Sequence, residues 1–182
     1  MKRTIAQMVT GSAAALAVLA GTQIAAAPAQ ARTACPIQPY GLIGDYWRAM
    51  GGENSWFGCA TRTEYTPPNF LHGRKQTFEH GQIAWSPDQG SNMIVAAFDK
   101  NGVAVFRWGP TNPFNYDYFV VDFGPGTPEI RAPFKGGPRT QGRAEGHGHT
   151  LYSFSVRGCD YGFLQITRSC RQGWTIPVSV KV

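Results

Sequence analysis

Beyond residue 100 the chain never runs more than ten residues before a glycine or proline interrupts it. Between those interruptions apolar side chains recur at every second position. Such short segments leave little room for long helices and favour brief strands joined by turns. The alternation predicts strands at residues 103–108, 116–123, 127–132 and 150–158, with 175–182 closing the chain as an edge strand. Several short strands divided by Gly/Pro clusters imply an all-β sandwich.

The first residues have the pattern of a secretory leader. Lys2 and Arg3 precede an apolar run, and the small-residue sequence Ala29-Gln30-Ala31 offers a cleavage site. Residues 1–31 are expected to be a signal peptide, with the mature chain starting at Arg32. No later segment has the roughly 18 consecutive apolar residues that a span requires, so no membrane span is expected. The remaining 151 residues (182 minus 31) suit one domain or two small ones. All four cysteines, Cys35, Cys59, Cys159 and Cys170, fall in this part. Three pairings are open, and the close spacing within each half favours Cys35 with Cys59 and Cys159 with Cys170. Neither a CxxC pair nor clustered histidines support zinc, and no metal or cofactor is expected.

Charge is uneven along the chain. Residues 32–99 carry five Lys/Arg against six Asp/Glu, net −1, whereas residues 100–182 carry ten against five, net +5. Seven of those ten are arginines (Arg107, Arg131, Arg139, Arg143, Arg157, Arg168 and Arg171), and guanidinium groups suit planar contact with phosphate or carboxylate. For an exported protein the polyanion to expect is an envelope polymer rather than nucleic acid.

In the first half, Ile43, Trp47 and Met50 share one face of a short helix, and Gly51-Gly52 stops it with a left-handed cap. Pro67-Pro68-Asn69 breaks regular structure. Thr77-Phe78 and residues 82–85 read as a hairpin around His80-Gly81, Ser86-Pro87-Asp88-Gln89-Gly90 as a turn, and residues 93–95 as a third strand. The order W-x-x-M-G-G-x-x-S-x-F-G-C-A-T-x-x-E, then G-R-x-x-x-F-E-x-G-x-I-x-W-S-P, resembles the LGFP repeat of actinobacterial envelope proteins over residues 41–95. That resemblance implies a module, residues 32–99, that holds proteins on the cell wall. The naming tetrad is here Phe57-Gly58-Cys59-Ala60, and the sequence contains one copy. Tandem copies elsewhere in the family would add avidity.

After a turn at Asp99-Lys100-Asn101-Gly102, residues 100–182 resemble a fibronectin type III domain with an extra cysteine pair. The resemblance implies that Trp108 is the core tryptophan, that the Tyr152 hydroxyl is tied to backbone upstream as in a tyrosine corner, and that Cys159 and Cys170 staple the last loop. The fold expected is therefore mainly β: a small α+β LGFP-type module followed by an all-β immunoglobulin/fibronectin-like sandwich.

Nucleophile elbows, phosphate-binding glycine loops and H-E-x-x-H are absent from the sequence. His147 and His149, with His72 or His80, could form a metal or acid/base site, but a glycine-flanked loop explains the first two more simply. Glu64 and Glu79 are the pair to consider for glycoside hydrolysis, which needs two convergent carboxyls. Aromatic side chains are the stronger lead. Sugar rings stack their C–H faces on flat side chains, while their hydroxyls need polar partners. Trp47, Phe57, Phe78 and Trp85 are assigned to packing. Trp56, Tyr65, Asn69, Phe70 and His72 are the candidate ligand contacts, with Arg74 and Gln82 as polar partners.

These readings lead to a secreted, non-catalytic protein that binds cell-wall polysaccharide or a peptidoglycan-linked polymer. The alternative is a secreted inhibitor or interaction protein that grips an extracellular enzyme through its basic half. Incubation with cell-wall sacculi separates the two.

Overall fold

Five consecutive residues, Ile94 to Phe98, are buried on both faces of one strand, so two separate layers must cover it. The structure, a computed structural model, describes residues 34–124, 130–132, 139–163, 166–171 and 173–182. Residues 33–182 form one compact unit.

The elements are α1 (Gly41–Ala49), β1 (Arg74–Phe78), β2 (Gly81–Trp85), β3 (Ile94–Lys100), β4 (Val103–Gly109), β5 (Tyr118–Asp122), β6 (Ile130–Ala132), β7 (Gly142–Gly146), β8 (Leu151–Tyr161), β9 (Arg168–Cys170) and β10 (Val178–Lys181). One antiparallel sheet runs β1-β2-β3-β4-β7. The other runs β10-β8-β5-β6, with β9 also on β8. The chain is mainly β, as expected.

Side chains alternate between the two faces of the first sheet. Ala84, Val95, Ala97, Phe106 and Trp108 meet Phe119, Val121, Phe154, Val156 and Val178 of the second sheet. The opposite face, with Phe78, Ile83, Ala96, Phe98 and Val105, is covered by Ile43 and Trp47 of α1 and by Phe57. Phe57 is fully buried between Phe78 and Phe98, at 5.6 and 5.0 Å between ring centroids. Truncating such a ring costs about 3–5 kcal/mol.

The helix ends as its sequence requires, with Gly51 and Gly52 at φ 110° and 60°. Both disulfides pair as the spacing favours, Cys35 with Cys59 and Cys159 with Cys170. Among the described residues no helix is long and apolar enough to cross a membrane.

Three expectations need correction. The boundary placed between residues 99 and 100 falls inside a hairpin: Lys100 pairs with Val103, Asn101 and Gly102 have positive φ, and Asp99 Oδ1 accepts Gly102 N at 2.8 Å. The turn expected at residues 99–102 is formed, and its Asn-Gly pair makes a two-residue hairpin between strands of one sheet. The first sheet therefore draws three strands from residues 74–100 and two from later in the chain. Among the described residues, 100–182 do not close a sandwich alone. Next, β7 and β9 were not expected. Gly142–Gly146 has only one apolar side chain, and β7 is specified by its fit: a Cβ at Gly142 would collide with the Trp108 indole. Finally, Trp108 is a core residue, but the Tyr152 hydroxyl is buried with no hydrogen-bond partner among the described residues, so the corner bond is not formed. The expected strand at 127–132 is seen as β6, and its first three residues lie outside the described ones.

Candidate functional site

Register sets the site. Arg74 of β1, Trp85 of β2 and Ile94 of β3 stand opposite one another on the helix-facing side of the first sheet, at its β1 end. Ile94 is buried beneath the helix side, whereas Arg74 and Trp85 are left half-buried. Trp85, assigned to packing from its sequence position, is only half-buried and lines two clefts.

The smaller cleft, about 300 Å³, is walled by Tyr40, Leu42, Ile43, Glu64, Arg74 and Trp85. Tyr40 is 57% exposed. Arg74 Nε lies 3.3 Å from Glu64 Oε1, and Arg74 Nη1 donates to Thr66 Oγ1 at 3.0 Å. The Glu64 side chain is only 8% exposed. Burial pushes its carboxyl above the usual range, and the Arg74 guanidinium pulls it partly back.

The larger cleft, about 690 Å³, is lined by Trp85, Pro87, Asp88, Ser91, Pro113, Phe114 and Arg171. The Arg171 guanidinium stacks 3.7 Å from the centre of the Phe114 ring, and its Nε donates to Asp88 O at 2.8 Å. Trp85 Nε1 donates to Ser91 O at 2.9 Å, which fixes the indole between the two clefts. Ser91 N in turn donates to Asn112 O at 2.9 Å. The loop that carries Pro87, Asp88 and Ser91 is anchored from within. Gln89 is fully buried; its Oε1 accepts Gly158 N at 2.9 Å and its Nε2 donates to Gly173 O at 3.0 Å. Flat apolar surfaces and charged or amide partners held in place by buried hydrogen bonds are what a polar, ring-shaped ligand needs.

The residues expected to form the site are scattered. Arg74 lies in the smaller cleft. His72 is at the edge of the larger one, its Nδ1 3.3 Å from Asp88 Oδ1. Tyr65 is half-buried beneath the Arg62 guanidinium, 3.8 Å from its ring centre, and pairs with Lys75. Asn69 makes a turn with φ 68°, and Phe70 packs against the core. Gln82 accepts Ser179 N at 2.7 Å and so caps the edge strand β10. Trp56 is 41% exposed, with Lys100 Nζ 5.6 Å from its ring centre, and lines neither cleft.

Glu64 and Glu79 do not converge. Glu64 is held by Arg74 at the start of β1, and Glu79 follows Phe78 at its end, about 13 Å along the strand at 3.3 Å per residue. Glu79 Oε2 accepts Cys59 N at 3.0 Å, a structural role. His147 lies 3.7 Å from Glu145, and His149 stacks edge-on against Tyr152.

Phe114 is not anticipated by the sequence, and Arg171 enters there only as one of seven arginines of the basic half. Nothing local in sequence marks either as a neighbour of Trp85. Fold and clefts together define a disulfide-braced, two-sheet β protein with a helix over one face. No protein-family model, curated protein or solved structure matches this chain.

Proposed function

We propose that this protein is a secreted, non-catalytic surface protein that holds cell-wall polysaccharide or a peptidoglycan-linked polymer in the two clefts beside Trp85. The observation that carries this reading is the single fixed indole shared by two aromatic clefts, each with a guanidinium at its wall. A chain of sugar rings offers apolar faces to Tyr40, Trp85 and Phe114, and hydroxyls or carboxylates to Arg74 and Arg171. The two disulfides suit an oxidising compartment, and the leader pattern suits export. The LGFP resemblance agrees with an envelope protein. The absence of convergence between Glu64 and Glu79 supports binding over hydrolysis.

Co-sedimentation with purified sacculi tests the reading. The mature protein should leave the supernatant at physiological salt without releasing soluble fragments. Retention in the supernatant, together with co-purification of one extracellular enzyme, would favour the inhibitor alternative.

A further inference from the structure

Across the helix-facing side of the first sheet, one row of register partners reads Gln76, Ile83, Ala96, Arg107 and Arg143. The two arginines stand directly opposite on β4 and β7, where like charges repel. Tyr46 of α1 joins them. With Trp108, Gly109, Gln141 and Gly142 they line a cleft of about 440 Å³ whose lining contains no Asp or Glu.

Arg143 is paired with Glu145, two residues along β7. Arg107 has no carboxylate partner among the described residues. Its Nη1 is 3.5 Å from Met50 Sδ, and its guanidinium carbon is 6.0 Å from the Phe98 ring centre. The Tyr46 hydroxyl is buried beside the Arg107 guanidinium, which can only donate, and nothing among the described residues accepts its proton. Burial raises the phenol above its ordinary range, and the Arg107 guanidinium partly lowers it by its charge and by hydrogen bonding. At neutral pH the hydroxyl thus keeps its proton. Trp108 Nε1 is also buried without a hydrogen-bond partner among the described residues, but its indole packs between the two sheets, on the opposite face.

A buried hydroxyl whose proton has no acceptor is destabilising, and so is a guanidinium, that of Arg107, with no carboxylate to balance it. One kind of ligand relieves both. It must be anionic and rich in acceptors, because guanidinium groups only donate. A neutral sugar hydroxyl would satisfy Tyr46 and leave the charge. We propose that this cleft is an oxyanion site, in which Arg107 and the Tyr46 hydroxyl, with Arg143 behind them, take the oxygens of a phosphate or carboxylate group. The site is separate from the Trp85 clefts and does not depend on the glycan reading.

The test uses the intact, disulfide-bonded protein with sodium phosphate, sodium acetate and sodium chloride at equal ionic strength, read by calorimetric titration and melting temperature. Phosphate, acetate or both should raise the melting temperature by at least about 2 °C over chloride; phosphate alone assigns a phosphoryl ligand, acetate alone a carboxylate. Tyr46→Phe should weaken the anion about tenfold while leaving the anion-free protein as stable as before or more so. Arg107→Gln should abolish the response, and the exposed Arg168→Gln should leave it intact. If Arg107→Gln does not fold, Tyr46→Phe decides alone. No response beyond chloride, or a response that Tyr46→Phe leaves unchanged, overturns the proposal.

Discussion

Gly158 N donates to the side-chain oxygen of Gln89 at 2.9 Å in the interior, although the two residues are 69 positions apart. The same side chain donates to Gly173 O, and Tyr116 Oη lies 3.4 Å from the Gln89 backbone oxygen. One amide therefore ties the loop beneath the larger cleft to β8 and to the segment before β10. Gln89→Leu should cost about 2–4 kcal/mol, because it strands buried backbone groups that cannot reach water. Chemical denaturation measures this, and a loss below about 0.5 kcal/mol would show that the amide is not the tie described.

The tyrosine over that amide also titrates late. Burial holds Tyr116 up to about 12, against the opposing pull of Arg171. A phenol raised in the folded state loses its proton first in the unfolded chain. Stability should therefore fall as pH rises from about 10 towards about 12. Tyr116→Phe should flatten that fall; an equally steep decline in the variant would assign it elsewhere.

How much of this was legible in the sequence follows from the range of each contact. The helix, its glycine stop, the β1–β2 hairpin and both disulfides depend on residues close in the chain, and the structure forms them as expected. The turn at Asn101-Gly102 forms where the sequence puts it, but it joins β3 to β4 within one sheet, so the module boundary expected beside it does not exist. Strand β7 has little apolar signal and exists because Gly142 fits under the Trp108 indole. Clefts are harder still. Trp85 occupies a position that reads as core, and only the arrival of Phe114 and Arg171 from distant segments shows that the indole is half open. Gln82, a candidate polar partner for a ligand, instead faces the other sheet and accepts Ser179 N.

Gln82 offers a direct check on that last point. As an edge strand, β10 presents outward-facing backbone groups, and two side chains of the first sheet meet them: Gln82 accepts Ser179 N, and Lys75 Nζ donates to Pro177 O at 2.7 Å. Burial lowers the Lys75 ammonium below its ordinary range. Gln82→Ala should cost about 1–2 kcal/mol and speed amide exchange at Ser179. Unchanged exchange there would mean that the bond does not persist in solution.

Glu64 gives the smaller cleft a pH signature. Its carboxyl is raised above the unfolded value of 4.5, so the folded protein takes up the proton first as pH falls. The cost of burying the charge is present at neutral pH and is relieved as pH drops through the folded value towards 4.5. The stability gap between Glu64→Gln and the wild-type protein should therefore shift in favour of wild type as the solution is acidified across that window. A gap that is constant with pH would place Glu64 in a solvated setting.

The central claim is that polymer is held at Trp85. The most direct measurement is the sacculus affinity of Trp85→Ala, with Phe114→Leu as a second, milder variant and Trp56→Ala as the comparison, after melting curves establish that each is folded. Trp85→Ala should lose about 2 kcal/mol of binding, roughly thirtyfold, Phe114→Leu a smaller amount, and Trp56→Ala little. Full retention by folded Trp85→Ala and Phe114→Leu, with loss in Trp56→Ala instead, would contradict the assignment of these clefts.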